Sequence, residues 1–288
     1  MSCSREKLIK FYLSYDKRVN NEYINSIYRK KYDYTSSEVL ADLRKLVDLR
    51  FPYYDEYEIR DVKGTFVDYL VRVLDKFKDD RVYNNFVNVA HNTNVITLPN
   101  LDYDESRAFI QADKKGNISL NIALPDADDS SLLHAIKMHE LGHLFIFSCN
   151  PNRKVDLYEY SEVPSMFLEY LMYSSVDPEN GLDDFITNRT VSINDALVDL
   201  DDDLFYAENP NLLMIPERIY GTRLSSSISM IEGIDYTLNL IEREKELKGC
   251  ATDAISRVLL GESTCEEEAR KLDIDTSKLK KVKKLTIN

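Results

Sequence analysis

The residues best suited to chemistry are two histidines and a glutamate in the segment His139-Glu140-Leu141-Gly142-His143. Residues four apart lie on one face of a helix, so both imidazoles can bind one metal ion while Glu140 reaches the water beside it. Imidazole nitrogens together with a carboxylate are the usual ligands of a catalytic zinc ion. The motif therefore predicts one Zn²⁺ per chain, bound by His139 and His143, with Glu140 as the general base.

A catalytic zinc of this kind needs a third protein ligand and an open position for water or substrate. We predict Glu162, nineteen positions after His143 on a following helix, because a helix-turn-helix can bring it back beside the histidines. Glu169 lies two turns further on the same face and could orient a ligand imidazole through its second nitrogen. The alternative for Glu169 is a surface carboxylate. His91 and His134 lack the ligand spacing, and His134 is interpreted as a packing or surface residue.

This set of residues indicates metal-assisted hydrolysis of peptide bonds, with Glu140 accepting a proton from water and returning it to the leaving amine. A predicted strand at residues 118–124, just before the metal helix, could bind an extended peptide along an exposed edge. Alternatively, it only covers that helix. Two other functions stay open: an aminopeptidase-like enzyme of the gluzincin class, and a metal-binding regulatory module without significant turnover.

The composition is that of an ordinary globular protein, with 288 residues of which 43% are hydrophobic. A net charge of −13 argues against nucleic acid as a partner, and the basic cluster at residues 278–284 is interpreted as a solvated tail. The sequence shows neither a signal peptide nor a membrane span. Four cysteines at unrelated spacings suit reduced thiols. We therefore predict a cytoplasmic protein with a peptide substrate, in which Asn188-Arg189-Thr190 matches a glycosylation sequon by chance.

The apolar spacing predicts a fold that is mainly α with a small antiparallel β-sheet. Residues 1–288 form one α-rich domain, with a helical N-terminal part at residues 1–100 and a catalytic part at residues 106–275. Apolar stripes at residues 39–47 and 66–77 recur at helical spacing. Alternating apolar residues around 108–110 and 118–124 flank a turn that contains Gly116, which predicts a β-hairpin.

Further helices are predicted from caps and periodicity. The acidic, serine-containing stretch at 126–131 should cap a metal helix over residues 132–147. A second helix covers residues 161–174, and a long connection with one short helix spans residues 177–210. A third helix runs over residues 218–247. Finally, Ser263-Thr264-Cys265-Glu266 has the pattern of a capping box that opens a last helix.

Five stretches resemble the family of thimet oligopeptidase and oligoendopeptidase F, which are zinc peptidases that cut short peptides. They are Ile118-Ser119-Leu120-Asn121, the segment from His139 to His143, Glu162-Val163-Pro164-Ser165 with Glu169, Tyr220-Gly221-Thr222-Arg223-Leu224-Ser225, and Leu259-Leu260-Gly261-Glu262-Ser263 leading to Leu272-Asp273-Ile274-Asp275. The resemblance covers residues 107–275. The Glu-Val-Pro-Ser match and the order of the C-terminal stretches favour this family over other zinc peptidases.

The resemblance implies a zincin-like α+β catalytic domain that acts on short peptides. It also implies that His139, His143 and Glu162 are zinc ligands and that Glu140 is the general base. Tyr220 would be a tyrosine that donates a hydrogen bond to the tetrahedral intermediate, as preorganised donors do at a developing oxyanion.

The chain also departs from the family pattern. Ile146 stands where members often carry another histidine, and residues 209–219 lack the histidine and tyrosines that usually precede the Tyr220 position. These departures predict that assistance to the transition state is either reduced or supplied by another group such as Tyr236. The chain has about half the usual length, which implies an abbreviated substrate channel and puts the selection of substrate size in question.

Overall fold

A computed structural model describes residues 62–99, 101, 103, 106–112, 118–149, 162–190 and 217–274. Three sequence predictions fall outside these residues: the apolar stripe at 39–47, the turn at 113–117 and the basic cluster at 278–284. Among the described residues, no helix has both the length and the apolar character needed to cross a bilayer.

The described part of the chain is mainly helical and contains one small sheet, which confirms the predicted fold class. In chain order the elements are α1 (Phe66–Leu74), α2 (Asp80–His91), β1 (Thr93–Leu98), β2 (Arg107–Ala112), β3 (Ile118–Pro125), α3 (Ser131–Cys149), α4 (Glu162–Val176), α5 (residues 181–190), α6 (Glu217–Glu246), α7 (Cys250–Leu259) and α8 (Cys265–Lys271). The predicted metal helix is α3, and the short helix expected in the connection after residue 177 is α5.

The central element is α3, because it is apolar around most of its circumference. Residues on several of its faces are buried, among them Leu132, Met138, Leu141, Leu144 and Phe145. A helix of this composition is stable only where other elements cover it on all sides. Its start lies in the predicted capping stretch, since the Oγ of Ser130 accepts a hydrogen bond of 3.1 Å from the backbone N–H of Leu133.

Helix α4 packs along α3, and a glycine permits the close approach. A Cβ atom added at Gly142 would lie 2.8 Å from the Oγ of Ser165 and 3.0 Å from its Cα. Any other residue at position 142 would push the two helices apart. Pro164 lies in the first turn of α4, where its missing N–H would have no intrahelical partner in any case.

The sheet has the strand order β1-β3-β2, with β1 parallel and β2 antiparallel to β3. The antiparallel pairing of β2 with β3 confirms the predicted hairpin strands. The prediction of an entirely antiparallel sheet is wrong because of β1, which lies in a stretch expected to be helical. Four of its six residues are β-branched, and such residues favour extended backbone: Thr93, Val95, Ile96 and Thr97.

Strand β3 lies in the middle of the sheet, so both of its edges are already paired. It cannot bind an extended peptide along a free edge, and the predicted role for residues 118–124 is therefore wrong. The strands that end the sheet are β1 and β2. Of these two, β2 packs against α3.

The capping box of α8 begins one residue later than predicted. The Oγ1 of Thr264 accepts a hydrogen bond from the N–H of Glu267, whose carboxylate accepts one from the N–H of Thr264. Ser263 precedes the cap and donates its hydroxyl to the same carboxylate. Two adjacent residues of the same chemical type can each start the motif, and in the structure the second one does.

Candidate metal centre

The three predicted ligands converge at the contact between α3 and α4. His139 and His143 lie one turn apart on α3, and Glu162 is the first residue of α4. One ligand atom from each residue lies within 4.8 Å of the other two. The two Nε2 atoms are 3.0 Å apart, and the Glu162 oxygens lie 3.3 Å from the Nε2 of His139 and 3.6 Å from that of His143.

These separations suit a single small cation. Two ligands of a tetrahedral zinc, each about 2.0–2.2 Å from the ion, lie roughly 3.3–3.6 Å from each other. The separations of 3.3 and 3.6 Å fall in this range, and the 3.0 Å between the two Nε2 atoms is slightly shorter. The buried Oε2 of Glu162 has no hydrogen-bond partner among the described residues, although the Nε2 of His139 is near. A carboxylate oxygen in this position is a suitable metal ligand, because it would otherwise lose its hydrogen bonds to water without compensation.

The second nitrogen of His139 has its own partner. Its Nδ1 lies 3.0 Å from the Oε2 of Glu169, whose side chain is fully buried. An N–H donated from Nδ1 to this carboxylate leaves the lone pair of Nε2 for a metal. The burial of Glu169 excludes the alternative of a surface carboxylate.

Burial and the neighbouring charges together determine the pKa values of the three ligands. Burial lowers the pKa of His143 to about 4. Burial also acts to lower the pKa of His139, but the carboxylates of Glu162 and Glu169 outweigh it and raise that pKa to about 9. Burial acts to raise the pKa of Glu162, whereas both imidazoles lower it, to about 2. The carboxylates of Glu162 and Glu169 thus favour positive charge at His139, and the same two carboxylates would favour a metal cation there.

Glu140 lies in the same buried region as the ligands. Its exposed fraction is 8%, and burial raises the pKa of its carboxyl to about 7. The backbone N–H of Ala108 in β2 donates a hydrogen bond of 2.5 Å to its Oε2. No hydrogen bond within the described part of the chain involves its Oε1. A carboxyl that titrates near neutral pH can both accept and return a proton.

Arg189 is a residue of the site that the sequence analysis missed. It lies on α5 with 7% of its surface exposed, and its Nε donates a hydrogen bond of 3.0 Å to the Oε1 of Glu169. Its Nη2 donates to the Oε2 of the same carboxylate and lies 3.2 Å from the Nδ1 of His139. The available signal was weak: Arg189 follows the buried Phe185 by four residues, on the inward face of α5.

The two candidate tyrosines of α6 have different outcomes. Tyr220 belongs to α6, but its side chain lies outside the described residues, so its role stays a prediction. Tyr236 is buried, and its hydroxyl donates a hydrogen bond of 2.8 Å to the carbonyl oxygen of Cys265. A phenol has one hydrogen to donate. The alternative prediction, that Tyr236 donates a hydrogen bond to the transition state, is therefore wrong.

The other two histidines lie outside the ligand set. His134 is buried and packs edge-on against the rings of Phe66 and Tyr69, each at a centroid distance of 5.7 Å. The packing interpretation of His134 is therefore confirmed. His91 is the exposed last residue of α2.

Comparison with solved structures finds a protein described as a "putative oligoendopeptidase F" from Bacillus anthracis str. Ames, with 12% sequence identity and a TM-score of 0.46. The match covers 90% of this chain and 56% of that chain, so the present chain spans little more than half of its length. No protein-family model and no curated protein matches the sequence.

Proposed function

We propose that the protein is a zinc-dependent peptidase that hydrolyses peptide bonds in short peptides. The observation that carries this proposal is the convergence of His139, His143 and Glu162 within 4.8 Å, with the buried carboxylate of Glu140 in the same region. Two imidazoles and one carboxylate would leave the fourth position of a tetrahedral zinc for water or substrate. This ligand set is typical of catalytic zinc sites, whereas structural sites have four protein ligands.

When bound, zinc would polarise the scissile carbonyl and acidify the attacking water. The chain's own residues would handle the proton. The N–H of Ala108 holds the Oε2 of Glu140, so Oε1 is the oxygen that would accept the proton and later return it to the leaving amine. Burial of this carboxyl raises its pKa to about 7, which favours transfer in both directions near neutral pH.

The outer edge of β2 would position the peptide. The N–H of Ala108 leaves the sheet on the side away from β3, because it donates to Glu140. In an antiparallel strand every second residue presents its N–H and C=O to the same side. An extended peptide could therefore pair with those outward-facing groups of this edge that Glu140 does not occupy, beside the metal helix. We expect N-methylation of alternate amides in a substrate peptide to raise KM more than it lowers kcat.

The decisive experiment measures zinc content and peptide hydrolysis of the purified full chain. We expect one zinc per chain, cleavage within a quenched-peptide library, and loss of most zinc in Glu162→Gln. Glu140→Gln should keep the zinc and the fold but lose hydrolysis by on the order of a hundredfold or more. Glu179→Gln is the matched control, because Glu179 is an exposed carboxylate on the turn after α4. It should behave like the wild type.

The same experiment distinguishes the proposed peptidase from the two alternative functions. Zinc binding without hydrolysis of any peptide would indicate a metal-binding regulatory module instead. Cleavage limited to peptides with a free amino terminus, with N-acetylated peptides left intact, would indicate an aminopeptidase. Failure to bind zinc would refute the proposal.

A further inference from the structure

We propose that Arg189 is a positioning residue of the metal centre: it fixes the carboxylate of Glu169, which in turn holds the imidazole of His139 in its ligating orientation. This inference rests on the proposed metal site. If it holds, three helices build the metal site: α3 and α4 carry the ligands, and α5 carries Arg189.

The contacts form a chain from the guanidinium group to the ligand. Arg189 donates from Nε to the Oε1 of Glu169 at 3.0 Å and from Nη2 to its Oε2. A guanidinium fork that binds both oxygens fixes the plane of the carboxylate as well as its position. The same Oε2 lies 3.0 Å from the Nδ1 of His139. Rotation of the carboxylate would therefore break the hydrogen bond that orients the imidazole.

The short distance between Arg189 and His139 does not represent a hydrogen bond between them. The Nη2 atom lies 3.2 Å from Nδ1. When Nδ1 carries a proton for Glu169, both atoms are donors and neither can accept from the other. The carboxylate oxygen of Glu169 accepts from both, so Arg189 acts on the imidazole through Glu169.

Burial makes this arrangement rigid. Glu169 is fully buried, and Arg189 and His139 expose only 7% and 6% of their surfaces. Water therefore does not compete for these hydrogen bonds. A further donor, the Nδ2 of Asn188, lies 3.4 Å from the Oε1 of Glu169. Ordered outer partners of this kind hold a metal ligand in one orientation.

Two simpler roles for Arg189 make different predictions. If it only joins α5 to α4 as an ion pair, its loss lowers stability and leaves metal affinity unchanged. If it acts only through its positive charge, its loss should strengthen the binding of a cation, because like charges repel. A positioning role predicts the opposite sign, a weaker binding of zinc. The sign of the change in zinc affinity therefore separates the three roles.

The test measures the zinc Kd by chelator competition, and the Tm of the zinc-free protein, for the full chain and its variants. We expect Arg189→Gln to raise the Kd about tenfold or more, the size typical of lost outer partners. Arg189→Lys should also raise it, because one ammonium group cannot fix both carboxylate oxygens. Arg189→Lys keeps the buried charges balanced, so it tests the proposal even where Arg189→Gln does not fold.

A double variant tests whether the effect passes through Glu169. If Arg189 acts only through that carboxylate, then Arg189→Gln combined with Glu169→Gln should bind zinc no more weakly than Glu169→Gln alone. Additive losses of affinity would contradict this route.

Arg257→Gln is the control for the loss of an arginine that pairs with a buried glutamate elsewhere in the protein, although Arg257 itself is partly exposed. Arg257 donates from Nη2 to the buried Glu268 at 2.5 Å, between α7 and α8. This variant should lower the Tm and leave the zinc Kd unchanged. An unchanged or lower Kd in Arg189→Gln, or a wild-type Kd in Arg189→Lys, overturns the positioning role while the metal site stands. A wild-type chain that binds no zinc overturns both.

Discussion

Glu162 and Glu169 carry the same side chain on one face of α4, yet the structure gives them different surroundings. The Oε2 of Glu162 has no hydrogen-bond partner among the described residues, and the side chain is 23% exposed. Glu169 is fully buried and accepts hydrogen bonds at both oxygens. A metal ligand needs an oxygen with a free lone pair, whereas an orienting residue needs one already bound to its neighbours. Position along one helix therefore separates the two roles.

The tyrosines of α6 lead to a prediction at the same scale. Tyr236→Phe should keep wild-type turnover and lower the free energy of unfolding by about 1 kcal/mol, because it removes the hydrogen bond from the hydroxyl to the carbonyl of Cys265. If Tyr220 assists the transition state, Tyr220→Phe should lower kcat by on the order of a hundredfold and leave zinc content and Tm unchanged. Steady-state kinetics and urea unfolding of both variants provide the measurement.

The two tyrosine variants test different predictions, so their results can be interpreted independently. Loss of turnover in Tyr236→Phe would contradict its structural assignment. Wild-type turnover in both variants would remove tyrosine assistance from the mechanism.

At the scale of elements, the contact between α6 and α4 holds Glu162 in place. A Cβ atom added at Gly233 would lie 2.8 Å from the Cβ of Glu162 and 3.0 Å from the Sδ of Met166. The methionine sulfur can move, but the Cβ of Glu162 can move only with its backbone. Gly233 therefore lets the start of α4 lie where the carboxylate of Glu162 meets the histidines.

We predict that Gly233→Ala lowers both the Tm and the zinc affinity. Replacing glycine by alanine inside a helix ordinarily stabilises it by about 0.5–1 kcal/mol, so a loss of stability would have the opposite sign to the helix propensity. Thermal unfolding and chelator competition measure the two effects. A higher Tm with unchanged zinc affinity would contradict this role of Gly233, because α4 and α6 could then move apart without loss of stability or zinc binding.

The two ion pairs of Glu268, with Arg257 of α7 and with Lys271 of α8, predict a dependence of stability on pH. Burial acts to raise the pKa of Glu268, but hydrogen bonds from Arg257 and Lys271 outweigh it and lower that pKa to about 2. A carboxyl with a lowered pKa in the folded state stabilises the protein above its unfolded pKa of about 4.3. The contribution is lost as the pH falls from there towards 2.

We therefore expect Glu268→Gln to lower the free energy of unfolding by about 2 kcal/mol at pH 7. Below pH 4.3 the difference between wild type and variant should shrink as Glu268 of the wild type takes up a proton. Urea unfolding of both proteins at a series of pH values measures this difference. The contributions of the other carboxyls drop out of the difference because they titrate in both proteins. A difference that stays constant from pH 7 to pH 2.5 would contradict the assignment.

At the scale of the whole molecule, the candidate metal site lies between two helices of the core, α3 and α4. An ion bound by residues of α3 and α4 would link the helix beside the sheet to the helix that packs against α1 and α6. A ligand that binds only the folded state stabilises it by mass action, by about 2.7 kcal/mol when its free concentration is one hundred times Kd.

We predict that a chelator lowers the Tm by several degrees and that zinc restores it. Glu140→Gln should respond as the wild type does, because Glu140 is not a ligand. Glu162→Gln should show little restoration at the same zinc concentration. Differential scanning calorimetry at fixed protein concentration is the measurement, and an equal zinc response in Glu162→Gln would remove Glu162 from the ligand set.

Local features could be predicted from the sequence. The spacing of His139 and His143 places both imidazoles on one face of any α-helix, whatever surrounds it. The apolar pattern predicted α3, α4 and α6 to within two residues at each end, because helix formation and capping depend on neighbours in the chain. The motif, a candidate general base and a candidate third ligand could therefore be predicted from the sequence.

Contacts between distant segments depended on the tertiary structure. Nothing in the local pattern of Arg189 indicates that it reaches Glu169, and nothing near Tyr236 indicates that its hydroxyl bonds to Cys265. Strand order likewise placed β3 in the centre of the sheet and left the edge beside the metal helix to β2. These arrangements follow from how closely whole helices and strands pack, which is set at contacts such as Gly142 with Ser165. Sequence spacing therefore determined which side chains could act together, and packing across the core decided which of them meet.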